Sequence, residues 1–295
     1  MERRIKMFTK VIAEVGCNHK GDLDLAKEHI RIAKEFCSAD AVKFQKRDNL
    51  YWAAKKPGIY NAPHPNPENS YGKTYLEHRE FLEFSKDQHK ELMEYCSSIG
   101  IEYSTSVWDL VSAKEIIELN PKMIKIPSAC NNNFEMLRYV CANYSGEIHV
   151  STGMTTKSEI KELVEFFISH GRNQDVVLYN CTSGYPVPFE DIRLLEIVNF
   201  VKDYSGHVKA IGFSGHHLGI AADIAALALG ATYIERHFTL DRTWKGTDHA
   251  ASLEPDGLRR LCRDVKNVSK ALNYKGDDIL DIEKVQRDKL KDVIK

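Results

Sequence analysis

IERHFTLDRTWKGTDHAASLEP, residues Ile234 to Pro255, begins as an apolar β-type run and breaks at Glu235, Arg236 and His237 before a polar, glycine-bearing loop. GFSGHHLGI, Gly212 to Ile220, repeats the pattern one element earlier and places His216 and His217 where a strand gives way to a loop. Ionisable groups at the ends of two neighbouring apolar strands point to a site gathered at one end of a sheet. Working outward, the same kind of run recurs at VIAEVG (11–16), AVKFQ (41–45), IEYSTS (101–106), MIKIPS (123–128), IHVSTG (148–153) and VVLYN (176–180). With VKAIGFS (208–214) and TYIERH (232–237) there are eight.

Amphipathic stretches with helical period separate these runs, among them DLDLAKEHIRIAKEFC, KDQHKELMEYCSSIG, KSEIKELVEFFISHG and, after the eighth strand, PDGLRRLCRDVKNVSKAL. Alternating β and α signals specify parallel βα units, and right-handed crossovers leave few ways to arrange eight of them. An open doubly wound sheet is the rival, but no GxGxxG follows the first strand. The expected fold is therefore α/β, a (β/α)8 TIM barrel, with the barrel over residues 1–273 and a solvated helical tail over 274–295. Residues 46–84 interrupt the pattern as a long Pro- and Asn-rich insertion between strand two and its helix, where connections normally take a few residues. Such a segment is expected to act as a lid or substrate contact, or else as an ordered surface or oligomer contact.

The 295 residues are 43% hydrophobic, enough for a sizeable core, and the formal net charge of −1 leaves no nucleic-acid or membrane footprint. Seven cysteines fall without CxxC pairing, which fits a reduced, cytoplasmic setting, and no run approaches the roughly 18 apolar residues of a membrane span.

In barrels of this kind chemistry sits at the C-terminal strand ends. There the sequence gathers Glu14, Asn18, His19, Lys43, Gln45, Ser104, Thr105, Ser106, Lys125, Ser128, Ser151, Asn180, Ser183, Tyr185, Ser214, His216, Glu235 and His237. A lysine inside an apolar strand must snorkel, pair with a carboxylate such as Glu14, or meet a ligand anion. Two of them, Lys43 and Lys125, ringed by the hydroxyls of Thr105, Ser128, Ser151 and Ser214, read as a phosphate and carboxylate cradle. His216 and His237 end consecutive strands and can share a divalent ion, with Mn²⁺ or another octahedral ion preferred because no thiolate set argues for zinc. His217 should point the other way. Asp248 follows strand eight and is left free by better helix-capping candidates nearby.

These motifs resemble the sialic acid synthase family: IAEVGCNHKGDLDLAKEHI, AVKFQK, YGKTYLEHREFLEFS, IKIPSACNNNFEML, STGM, CTSGYP, GFSGHH and IERHFTLDRTWKGTDHAASLEP occur in family order over nearly the whole chain. The resemblance implies a cytoplasmic barrel enzyme that condenses phosphoenolpyruvate with an N-acetylmannosamine-type aldose, free or 6-phosphorylated, using Mn²⁺, with Mg²⁺ or Co²⁺ as alternatives. It implies metal roles for His216 and His237. Around phosphoenolpyruvate it places Lys43, Thr105, Lys125, Ser128, Ser151 and Ser214, and on the acceptor or catalytic side Glu14, Gln45, Tyr185, Glu235 and Asp248. Two departures stand out. Cys130 occupies a position where many members carry glutamate, and the chain ends before the small antifreeze-like domain that in the family's dimer donates an arginine to the partner's sugar. Arg47, Lys55, Lys56, Lys73 and Arg79 of the insertion are the candidates to replace it; Arg79, in the helical TYLEHREF segment, is the expected one, unless it pairs with Glu77 or Glu83 on the surface. A metal-dependent pyruvate aldolase and a non-catalytic sugar-phosphate-binding subunit are the competing functions.

Overall fold

A computed structural model describes residues 9–292. Eight parallel strands close into a barrel in sequence order: β1 (Lys10–Gly16), β2 (Ala41–Lys46), β3 (Glu102–Val107), β4 (Met123–Ile126), β5 (Glu147–Ser151), β6 (Val176–Cys181), β7 (Ala210–Gly215) and β8 (Tyr233–His237). β8 pairs with β1, with Glu14 opposite His237, so no edge is left open.

The helices follow in chain order as α1 (Leu23–Arg31), α2 (Asn49–Lys55), α3 (Pro57–Tyr60), α4 (Tyr75–Leu82), α5 (Lys86–Ile99), α6 (Leu110–Leu119), α7 (Phe134–Asn143), α8 (Lys157–Ser169), α9 (Glu196–Tyr204), α10 (Ala221–Ala228), α11 (Pro255–Ala271) and α12 (Asp281–Leu290). Their starts are set by side-chain caps: Ser85 with Gln88 and Thr156 with Glu159 form reciprocal capping boxes, and Asp22 accepts from the Leu25 N–H. α11 buries Leu258, Leu261, Cys262 and Val265, an i, i+3, i+4, i+7 stripe that docks it on the barrel. α12, within the expected tail, buries nothing.

The pleat sorts every strand into an inner and an outer set. Ile12, Ala41, Met123, Val177, Tyr179 and Tyr233 fill the barrel interior as one small cluster. Their neighbours Val11, Ala13, Val42, Phe44, Ile124, Ile126, Val176 and Ile234 join the larger core between strands and helices. Continuing each inner set toward the C-terminal end gives Glu14, Lys43 and Gln45, Ser104 and Ser106, Lys125, Ser151, Cys181, Ser214, and Glu235 with His237. The outer set carries Arg236, whose guanidinium is bound by Asp223 of α10 and lies 3.1 Å from His217 Nε2. His217 thus points away from the mouth, as expected.

Phase corrects one assignment. Thr105 lies between the inner Ser104 and Ser106 and shares its face with Tyr103, whose hydroxyl is 2.7 Å from His89 of α5. Thr105 is fully buried beneath the helical layer and is no part of the mouth.

The insertion over 46–84 is ordered into α2, α3 and α4. It reaches across the mouth to the loop after β8, where the Tyr71 hydroxyl donates to the Lys245 carbonyl and the Gly246 N–H donates to Asn69 Oδ1 at 3.4 Å.

Candidate active site

The centre of the mouth is an ionic network built from four strands. Lys43 Nζ of β2 lies 2.5 Å from Glu14 Oε2 of β1 and 3.1 Å from Glu235 Oε1 of β8. The other oxygen of Glu235 accepts from Lys125 Nζ of β4 at 3.1 Å. The lysines therefore reach the anions supplied by the chain itself, the carboxylate-pairing alternative left open by the sequence. Ser214 donates to Glu235 at 3.0 Å, Lys43 donates to Ser106 at 3.2 Å, and the Lys125 ammonium sits 3.4 Å over the Tyr179 ring.

All four charged groups are buried. Burial disfavours the Glu235 carboxylate, but the ammonium groups of Lys125 and Lys43 outweigh it and hold the acid well below the usual range. Burial pushes Lys43 down to about 8 despite Glu235, and lowers Lys125 for the same reason. Lys43 thus sits near neutrality, where it can take up and release a proton.

Gly16 shows how tightly the β1 side converges. It adopts φ +56, and a Cβ there would lie 3.2 Å from both Gln45 Nε2 and Glu14 Oε1 and 3.5 Å from Asp248 Oδ2. Asp248 therefore faces the mouth, and its side chain caps no helix. On the β5 side the Gly153 N–H donates to Ser128 Oγ at 3.0 Å, and a Cβ at Gly153 would come 2.3 Å from Ser183 Oγ and 2.8 Å from Ser128 Oγ. Glycine keeps open a pocket lined by hydroxyls, with Ser151 buried at the neighbouring strand end.

His216 and His237 stand with ring centroids 5.4 Å apart, and the Tyr185 ring packs against His216 at 4.4 Å, tilted by 48°. His216 Nδ1 is 3.0 Å from the Thr182 carbonyl, which fixes the proton on that nitrogen and leaves Nε2 as the acceptor. Burial lowers His237 to about 4, so its imidazole is neutral at pH 7, and its Nδ1 is buried with no hydrogen-bond partner. Among the described residues no three His, Cys, Asp or Glu side chains converge as a closed metal cage. His237, neutral and with an orphaned buried nitrogen, fits an ion whose remaining positions are open, whereas Cys181 outweighs burial and raises His216 above its usual range, so His216 must release a proton before it can serve as a second ligand. Cys181 stands beside His216, and burial, which would raise its thiol, is outweighed by that imidazole and by Lys125.

Three expectations from the sequence land elsewhere or change character. Arg79 is buried rather than on the surface, 3.4 Å from Cys17 Sγ and 3.8 Å from Glu83 Oε2, so it meets Glu83 inside the fold, and Cys17 links it to Gln45 of the mouth. His19 is stacked on Phe84 at 4.0 Å within the same packing. Cys130 donates to the Trp108 carbonyl at 3.0 Å and burial pushes its thiol up to about 12, so it stays protonated and cannot take over the work of a carboxylate. The insertion's arginine that stands at the rim is Arg47, a candidate ranked below Arg79 on the sequence, whose Nη2 donates to Gln45 Oε1 at 2.9 Å. Its position, two residues beyond the inward Gln45, was the available signal. A cavity of about 860 Å³ lies at the opposite end, lined by strand-start residues such as Lys10, Asp40 and Glu102, away from these groups.

A closed eight-strand barrel with a lysine–carboxylate network, a hydroxyl rim and two imidazoles at its C-terminal mouth has the architecture of a TIM-barrel enzyme. The NeuB family model matches residues 29–277, and the chain belongs to that family of N-acetylneuraminate-synthase-like enzymes. It is 41% identical over 280 residues to the N-acetylneuraminate-9-phosphate synthase of Homo sapiens, covering 95% of this chain and 76% of that protein. It is 37% identical over 275 residues to the N,N'-diacetyllegionaminic acid synthase of Campylobacter jejuni, covering 92% and 78%. The crystal structure of the N-acetylneuraminic acid (sialic acid) synthetase of Leptospira borgpetersenii in complex with citrate superposes with a TM-score of 0.82 at 26% identity, over 98% of this chain and 96% of that one.

Proposed function

We propose that the enzyme condenses phosphoenolpyruvate with an N-acetylmannosamine-type aldose to give a sialic-acid-like 3-deoxy-nonulosonic acid and inorganic phosphate. The observation that carries the reading is the buried Lys43–Glu14 and Lys125–Glu235 network beneath the hydroxyls of Ser128, Ser151 and Ser214. Cationic heads and hydroxyls suit the carboxylate and phosphate of phosphoenolpyruvate. The adjoining carboxylates suit a reaction that forms a cationic centre and consumes water.

In the proposed sequence the methylene carbon of the enol attacks the aldehyde carbon, forming the new C–C bond. Water then adds at the former C2 of phosphoenolpyruvate, and phosphate leaves. Glu235, Glu14 and Asp248 are the groups placed to hold positive charge or accept the water proton, with Lys43 relaying it. Gln45 and Tyr185 flank the acceptor. A divalent ion held by His216 and His237, Mn²⁺ with Mg²⁺ or Co²⁺ as alternatives, would supply Lewis-acid polarisation of the aldehyde oxygen. The seven free thiols support a cytoplasmic setting, and a homodimer is the proposed assembly. Among the described residues no helix is long and apolar enough to cross a membrane.

The test is to incubate the enzyme with phosphoenolpyruvate, Mn²⁺ and a panel of free and phosphorylated aldoses while following phosphate and the 3-deoxy-ulosonic product. Phosphate release requiring both substrates is expected. Pyruvate formation from the product class without phosphate would identify an aldolase, and no turnover alongside tight sugar-phosphate binding would identify a non-catalytic subunit.

A further inference from the structure

The barrel interior beneath the ionic network carries polar groups where apolar side chains would fill it. His149 of β5 lies between Ile148 and Val150, which join the outer core, so its ring points into the barrel. It is buried, and both of its nitrogens are engaged. Nδ1 lies 2.8 Å from the Tyr179 hydroxyl of β6, and Nε2 lies 3.2 Å from Glu147 Oε2 at the start of β5. The same carboxylate oxygen accepts from the Tyr233 hydroxyl at 3.2 Å, and the other faces Lys209 Nζ at 2.9 Å. Glu147, His149 and Tyr179 thus form a column that rises from the N-terminal rim to Lys125, whose ammonium sits over the Tyr179 ring.

The direction of each hydrogen bond follows from the protonation of its partners. Burial lowers His149 despite the hydrogen bond with Glu147, and the charge of Lys125 lowers it further, so the imidazole is neutral and carries one proton. Hydrogen bonding to His149 holds Glu147 down at about 2 against burial, with help from Lys209, so Glu147 is a carboxylate that can only accept. His149 therefore keeps its proton on Nε2 and accepts at Nδ1 from the Tyr179 hydroxyl, which burial keeps protonated. A phenol that donates to an imidazole oriented by a carboxylate gains electron density in its ring, which deepens the negative face presented to Lys125.

The backbone makes room for this column. Tyr179 lies opposite Gly212 of β7, and a Cβ there would come 2.6 Å from Tyr179 Cδ1 and Cε1, so a larger residue would push the ring from under Lys125. Tyr233 stands perpendicular to His149 with ring centroids 5.1 Å apart and fixes the imidazole from the side. A lysine head rides on a flexible four-carbon stem, and here Glu235 and the Tyr179 ring hold it from two directions. We propose that Glu147, His149 and Tyr179 are positioning residues that hold the Lys125 ammonium where it meets an anionic group of phosphoenolpyruvate. This rests on the reading above that Lys125 serves phosphoenolpyruvate, and it adds the device that places it.

Calorimetric titration with phosphoenolpyruvate reads the cradle without turnover. His149→Leu and Tyr179→Leu should each weaken binding at least tenfold, and in a Lys125→Met background neither should weaken it more than twofold further. Tyr179→Phe, which keeps the ring and its packing, should weaken binding two- to fivefold, again only while Lys125 is present. His149→Gln, which keeps one donor and one acceptor, should restore affinity to within threefold of the wild type. In steady-state assays the leucine variants should raise KM for phosphoenolpyruvate and leave KM for the aldose within twofold. Wild-type affinity in Tyr179→Phe and the leucine variants, or losses that persist undiminished without Lys125, overturn the proposal while the synthase reading stands. A wild type that binds no phosphoenolpyruvate removes the synthase reading, and unfolding then judges the column. Urea midpoint losses of Tyr179→Leu and Lys125→Met that fall short of adding in the double variant uphold the link to Lys125, and simple addition overturns it.

Discussion

Replacing Glu235 by Gln keeps the shape of the side chain and removes one charge from the centre of the network. Glu235 faces Lys43 and Lys125, each at 3.1 Å, and takes a further hydrogen bond from Ser214 at 3.0 Å. At an effective dielectric of about 20 each contact is worth roughly 5 kcal/mol of gross attraction, most of it offset by desolvation of the buried ions. Lys43 keeps Glu14 at 2.5 Å, so it remains neutralised. Lys125 is left with the Tyr179 ring and a neutral amide. The loss is therefore dominated by one uncompensated buried ammonium and should be about 3 kcal/mol, the lower end for breaking a buried pair. For a chain of this size that is a fall of about 6 °C in Tm. Urea and thermal unfolding of the variant, the single variant Lys125→Met, and the double variant Lys125→Met/Glu235→Gln give the assay. The double variant should recover at least about 1.5 kcal/mol relative to the sum of the singles, because it removes the stranded charge. Added inorganic phosphate should raise the Tm of Glu235→Gln more than that of the wild type. A fall of under 2 °C, or simple additivity in the double variant, would show that Lys125 and Glu235 are not coupled and would remove the network as the organising feature of the mouth.

His237→Ala should abolish metal-dependent turnover while the far-ultraviolet spectrum stays native; retained turnover, or wild-type activity indifferent to chelator, would make the two histidines structural. Thr105→Val should leave KM for phosphoenolpyruvate within about twofold, since its side chain faces the helical layer, whereas Ser106→Ala removes a hydrogen bond from Lys43 worth about 1 kcal/mol and should raise that KM severalfold; the reverse ranking would contradict the strand phase. His29, lowered by burial from its usual 6.5 to about 4, binds a proton more readily in the unfolded chain, so its contribution to stability is complete above pH 6.5 and declines as pH falls toward 4. That is about 3 kcal/mol over the window, and His29→Leu should flatten the urea midpoint between pH 6.5 and 4 relative to the wild type; an identical slope refutes the assignment.

The eight βα units were legible because period is a local property: two-residue alternation and 3.6-residue stripes are written into short windows, and eight of them admit few closures. Alternation also fixed the inward phase of Lys43 in AVKFQ, Lys125 in MIKIPS and Glu235 with His237 in YIERH, because apolar neighbours mark the outer face. It failed in EYSTSV, where both faces are buried and the hydroxyls fall on each, so nothing in the window distinguishes Thr105 from Ser104 and Ser106. Only closure of the barrel decided the pairings. Glu235 meets Lys125 across 110 residues of chain and Lys43 meets Glu14 on the adjoining strand, distances set by strand register and ring curvature rather than by spacing in sequence. Tertiary packing likewise chose between two arginines of one insertion. α4 turns Arg79 inward onto Cys17 and Glu83, while Arg47 inherits the inward phase of β2 and comes to rest on Trp108. One guanidinium meets a carboxylate and the other an indole face, and which partner each reaches depends on which faces the folded elements present to one another.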